Sequence, residues 1–108
     1  MTNAELVNNL NALGDFVETQ KNRNKSLLKP EAQFAVFKNR QSMINAYNPY
    51  KDTLDALKEQ YDDTEIQSHL PDLLNTEADV DISKIKLSDF TDEAWANDMI
   101  LLEFMIEE

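Results

Sequence analysis

The chain has 108 residues, with 21 acidic side chains against 10 basic and a formal net charge of −11. That length holds one ordinary core, and the absence of cysteine removes disulfides, thiolate metal sites and a cysteine nucleophile. One histidine leaves too few ligands for an ordinary zinc site, and one glycine excludes the glycine-rich phosphate loops.

Scarce glycine together with frequent Leu, Ala, Glu, Lys and Gln favours helix over sheet. Leu6, Leu10, Leu13 and Val17 recur at spacings of four, three and four, with Val7 and Phe16 widening the same face. A first helix is expected over about 3–20, capped by Thr2 or Asn3. Residues 21–29, KNRNKSLLK, break the apolar rhythm and read as a connection. Pro30 then suits a helical first turn, where its missing N–H costs nothing.

Val36, Met43, Tyr47, Tyr50, Leu54, Leu57 and Tyr61 form one stripe, with Arg40 filling the missing step by laying its stem along apolar surface. The register runs through Asn48-Pro49. A proline ordinarily breaks a helix there, but a break would rarely preserve the phase. The favoured reading is one long helix over about 30–61, bent at Pro49; the alternative is two helices meeting at a corner. Short helical turns follow over 64–76, carrying Leu70, Leu73 and Leu74 around Pro71.

The pattern then changes. Val80, Ile82, Ile85 and Leu87 alternate with Asp79, Asp81, Lys84 and Lys86, which reads as a short strand over about 79–87. Ser83 shifts the phase, so this is either one bulged strand or two very short ones. A last helix is expected over about 92–107, started by Ser88 or Thr91 with Asp92 and Glu93 in its first turn. Trp95, Met99, Leu102 and Ile106 make one stripe, and Ile100, Leu101, Phe104 and Met105 cover most of the rest. A helix apolar nearly all round is either central to its own core or half buried by a partner.

Chemistry finds little purchase. Asp79-Val80-Asp81-Ile82-Ser83 opens like a calcium loop, but Lys84 stands where glycine is needed and Phe90 where a bidentate Glu is needed. His69 has Asp72, Ser68 and Thr64 near it in sequence, without the strained turn that presents a nucleophile, and reads as a surface histidine. No catalytic residue, metal site or cofactor is expected, and the chain reads as a non-enzyme.

Charge is unevenly laid out. Residues 1–50 hold six basic and four acidic residues, net +2, while residues 51–108 hold four basic and 17 acidic, net −13. A polyanion would be repelled by the overall field, so direct nucleic-acid binding is not expected. The longest nearly apolar run, Met99 to Ile106, is far short of the roughly 20 residues of a membrane span. The polar start, MTNAE, has no basic and apolar leader pattern, so a soluble protein inside the cell is expected.

ELVNNLNALGDF, then KPEAQFAVFKNRQSMINAYNPY, then DVDISKIKLSDF before an apolar helix resemble small uncharacterised phage and prophage proteins of Gram-positive hosts, of the kind encoded near tail and lysis genes. The resemblance implies a viral setting, in host cytoplasm or on the virion, and brings no functional residues with it. The expected fold is mainly α: a small helical domain with a long kinked central helix, one short β segment and an apolar C-terminal helix. The expected function is a non-enzymatic interaction protein that self-associates through helices. The alternative is an acidic surface that imitates nucleic acid and occupies a host defence protein. The candidate contact residues are Trp95, Met99, Leu101, Leu102, Phe104 and Met105, with the acids Asp79, Asp81, Asp89 and Asp92 beside them.

Overall fold

Thr2 opens the first helix. Its backbone N–H donates to Glu5 Oε1 (3.0 Å) and its Oγ1 accepts from the Glu5 N–H (3.2 Å), which satisfies two donors that a helix start leaves free. The Thr2 backbone bond, then the Thr2 side-chain bond, hold the Glu5 carboxyl below its ordinary value of 4.5. The carboxylate's contribution to this cap is therefore present above pH 4.5 and is lost as pH falls through the lowered value.

The computed structural model describes residues 1–107. Helix α1 spans Asn3–Arg23, three residues past the end that periodicity gave. Lys21 and Arg23 sit in its last turn, where the helix dipole favours cations. Asn24 closes it in the left-handed region (φ 52°), donating to the Gln20 and Lys21 carbonyls; asparagine tolerates that conformation better than most residues. The connection is thus 24–29 and is not merely polar: Leu27 and Leu28 are fully buried.

Helix α2 spans Pro30–Gln60 without interruption through Pro49. Pro49 and Asn45, whose carbonyl loses its usual donor, are both exposed, so water solvates what the proline leaves unbonded. At 1.5 Å per residue α2 is about 46 Å long. It therefore sets the 50 Å long axis of a 50 × 25 × 20 Å molecule. Ala32, Val36, Asn39 and Met43 are its buried residues. Arg40 is exposed, and the inward step assigned to its stem belongs to Asn39.

Helix α3 spans Asp63–Asn75, a continuous helix through Pro71 where separate turns were expected. Asp62 caps it by accepting from the Glu65 N–H (2.9 Å). None of its residues is fully buried. Its C-terminal end is tied to the start of α1: Asn3 Nδ2 donates to the Leu73 carbonyl and the Asn3 N–H to the Thr76 carbonyl, both at 2.9 Å. The core extends from this junction, where Leu6, Leu13 and Phe16 of α1 meet Val36 and Met43 of α2.

The C-terminal third departs most from expectation. No strand forms over 79–87; the pairings of this third are single-residue ones, Glu77 with Thr2, Ile85 with Ile106 and Phe90 with Leu28. The reason is Asn39. Its buried amide donates to the Ser83 carbonyl (2.9 Å) and accepts from the Ser83 N–H (2.8 Å), taking both bonds a neighbouring strand would make. The phase shift seen at Ser83 marks this clamp. The expected helix over 92–107 is a short α4, Ala96–Leu101, followed by a 3₁₀ turn over Glu103–Met105. The break at Leu102 (φ −105°, ψ 12°) ends α4, and Leu102 and Met105 on either side of the turn are both fully buried.

Asn39→Ala leaves the Ser83 N–H and carbonyl without partners in a part-buried site. It should cost about 2–3 kcal/mol in urea unfolding, with the loss appearing in the midpoint and not in the slope.

Candidate interaction surfaces

The C-terminal segment is held by one charge pair. Arg23, the last residue of α1, donates through Nη1 and Nη2 to the two Asp98 oxygens at 2.7 and 3.1 Å. The Asp98 side chain is 3 % exposed and that of Arg23 is 24 % exposed. Asp98 Oδ2 also accepts from the Trp95 N–H (2.7 Å), capping α4 from within. The guanidinium lies 3.6 Å from the centre of the Trp95 ring, a cation–π contact. The same segment is tied to the 24–29 connection: the Thr91 N–H donates to the Leu27 carbonyl (3.0 Å) and the Lys29 N–H to the Asp89 carbonyl (2.9 Å).

This anchoring divides the candidate contact residues. Leu102 and Met105 are fully buried, so they belong to the core and present no contact face. Met99, Leu101 and Phe104 are half-buried against it. Trp95 is exposed, but it precedes α4 instead of standing on its stripe, and one face of its ring is used by Arg23. What the segment does present is Leu87 and Ile100, each more than three-fifths exposed. With Met99, Glu103 and Ile106 they line a hollow of about 280 Å³.

The candidate acids do not gather in one place. Asp79 lines a concavity of about 500 Å³ beside Ser42, Pro49 and Leu73, whereas Asp89 lies with Lys29, Pro30 and Glu31. The Asp89 carboxylate accepts from the Lys86 N–H (2.8 Å). Asp81 and Asp92 are exposed, and Asp92 falls in the turn before α4, outside any helical first turn. His69 is exposed and its ring stands 4.9 Å from that of Tyr61, while Ser68 Oγ donates to the Glu65 carbonyl.

A second surface escaped the sequence reading. Phe34 is 71 % exposed, Phe37 50 % and Ile44 38 %. Each residue turns a helix by about 100°, which sets these three on the side of α2 away from Ala32, Val36 and Met43. The signal was present as a second period, 34, 37, 41, 44, but Gln41 interrupts it. Phe37 also lines a shallow concavity of about 380 Å³ with Lys21 and Lys25.

No family model, curated protein or solved structure matches the chain. Among the described residues no helix is long and apolar enough to cross a membrane.

Arg23→Ala strands the buried Asp98 carboxylate and should cost about 3–5 kcal/mol in chemical unfolding followed by circular dichroism. Trp95→Ala removes only an exposed cation–π contact and should cost about 0.5–1 kcal/mol in the same measurement.

Proposed function

We propose that the chain is a non-enzymatic interaction protein that associates with copies of itself through helical surfaces, in the viral accessory or structural setting that its sequence resembles. The observation that carries this reading is the outer face of α2. Phe34, Phe37 and Ile44 stand in water on a helix whose opposite side already supplies the core. Scattered single apolar residues on a surface need no explanation, but two exposed phenylalanines one helical turn apart form a patch. Removing them from water favours association, and Phe is enriched where protein surfaces meet. The rod-like shape supports the same reading. The radius of gyration is 16.2 Å, against about 13 Å for a compact chain of about 100 residues. Elongation of this kind gives a small protein more lateral surface for contacts.

A second reading rests on the end of the rod away from the core. Between residues 52 and 72 the chain carries seven exposed acids, none of them in an ion pair among the described residues. A row of unpaired carboxylates on a protruding helix pair supports imitation of a phosphate backbone toward a basic protein. Affinity for such a protein falls steeply with salt, and a salt-independent affinity is incompatible with it.

Sedimentation equilibrium tests the first reading. The unaltered chain should show mass-action growth above the monomer at concentrations on the order of 10–100 μM. Phe37→Asp should sediment as a monomer while its thermal midpoint stays within a few degrees, because Phe37 is half exposed. A clean monomer of the unaltered chain at every concentration overturns the reading.

A further inference from the structure

We infer that the concavity between the middle of α2 and the C-terminal end of α3 binds an organic cation, a guanidinium carried on an alkyl stem. The inference is independent of the self-association proposed above, because the site shares no residue with the outer face of Phe34, Phe37 and Ile44.

The wall of this concavity has used its donors and kept its acceptors. The Asn3 N–H and Nδ2 go to the Thr76 and Leu73 carbonyls, the Ala78 N–H to the Met1 carbonyl (2.8 Å) and the Thr53 hydroxyl to the Pro49 carbonyl (2.7 Å). Pro49 has no N–H to give the Asn45 carbonyl, and both residues line the concavity. A helical carbonyl points along the axis toward residue i+4, so this one opens on the face that Asn45 and Pro49 share. The Asp79 carboxylate, also in the wall, is in no ion pair among the described residues. The donors that remain are the Asn45 amide and the Ser42 and Tyr50 hydroxyls, and a hydroxyl accepts as readily as it donates.

The potential has one sign. Glu77 and Asp79 are the charged side chains of the wall, and Lys51, which follows Tyr50, is not part of it. The Met1 ammonium stands 3.2 Å from one Glu77 oxygen and offsets that acid, which leaves Asp79 uncompensated. Leu73 and Thr76 belong to the C-terminal end of α3, the negative end of its dipole. Helices α1 and α2 each carry a basic residue in the last turn, and α3 carries none. Carboxylate, dipole and free carbonyl thus all favour a cation with several N–H groups, and all disfavour an anion.

Shape and polarity select the rest of the ligand. Ala46, Pro49, Leu73 and Ala78 give the site an apolar floor for an alkyl stem, and Tyr50, half-buried, offers its ring to the cation. The volume, about 500 Å³, holds a side chain with the groups next to it. A guanidinium meets a carboxylate and a nearby carbonyl together, because its five N–H donors lie in one plane. Pro49 deprives α2 of a hydrogen bond and gives the site an acceptor, a local loss of the kind that accompanies function.

Titration of the full chain followed by amide NMR tests the site with three probes: butylguanidinium, acetylarginine methylamide and the uncharged acetylcitrulline methylamide. The two cations should shift the amides of residues 45–50 and 76–79 saturably, with Kd on the order of 1 mM, and the citrulline probe should not. Asp79→Asn should weaken binding about fivefold. Pro49→Ala returns an N–H to the Asn45 carbonyl, so it should weaken binding by a similar factor while raising the thermal midpoint, a pairing that general damage to the fold does not produce. Both positions are exposed, and circular dichroism checks that each variant folds. If the methylamide binds tighter than butylguanidinium, the cation is an arginine side chain of a partner protein; if it does not, the cation is a free small molecule. The site is overturned if neither cation shifts these amides, if the citrulline probe binds equally well, or if both variants bind like the unaltered chain. None of these results bears on sedimentation, which tests self-association separately.

Discussion

The ion pair between Arg23 and Asp98 is the constraint on which the C-terminal third depends. Residues 76–107 contain no strand, one short α-helix and two 3₁₀ turns, so they have few bonds of their own to hold a shape. A buried carboxylate is costly unless paired, and Asp98 has a single orientation that satisfies both Arg23 and the Trp95 N–H. That orientation starts α4 and delivers Leu102 and Met105 to the core. Asn39 does the corresponding work for the preceding stretch, offering Ser83 the bonds that a strand would. Two side chains on the helical scaffold thus substitute for a sheet. The backbone bonds of Thr91 to Leu27 and of Lys29 to Asp89 add to these two anchors.

The second organising element is α2. A helix of about 46 Å in a molecule with a 50 Å long axis must pass beyond any core this chain can build. Its first half is sandwiched by chemistry on both sides, core on one and Phe34, Phe37 and Ile44 on the other. Its second half starts with Ala46 and Tyr47 against the core and goes on beside α3, and neither that half nor α3 has a fully buried residue. Packing density therefore falls along the rod, from the Phe16 end to the Tyr61 end. Local opening free energies should follow the same gradient, because few buried contacts hold the distal pair.

What was legible in the sequence follows from the range of the interaction concerned. Capping by Thr2, the stripe of α1 and the unbroken phase through Pro49 are local, and each is read from neighbours three or four positions away. Arg23 and Asp98 stand 75 positions apart, and nothing in either one's neighbourhood singles it out among 31 charged residues. The apolar run ending the chain was visible, but its conformation was not. Apolar residues on every side satisfy a helix, and equally a chain that turns at Leu102 to bury two of them. Alternation over 79–87 reads as a strand because side chains alternate in any extended chain, whether its backbone pairs with a strand or with an asparagine. The face of Phe34 and Phe37 was overlooked for a related reason: the stronger inward stripe already accounted for the helix, and no packing argument remained for the outer one.

The charge layout ties these strands together. A chain with 10 basic and 21 acidic residues makes one side chain-to-side chain ion pair among its described residues, and that pair is the buried one. Oppositely charged regions in one small domain ordinarily have every opportunity to fold against each other. Here the lysines of 21–38 and the acids of the C-terminal segment stay in solvent, although the Leu28 and Phe90 backbones between them pair directly. Exposed pairs contribute little to folding, so stability alone gives no reason to bring them together. Between molecules the balance differs, because long-range attraction speeds encounter and fixes register even where it adds little affinity. The fold thus uses one arginine to hold its own end in place and leaves the lysines of 21–38 and the other acids of the C-terminal segment outside any side-chain ion pair among the described residues.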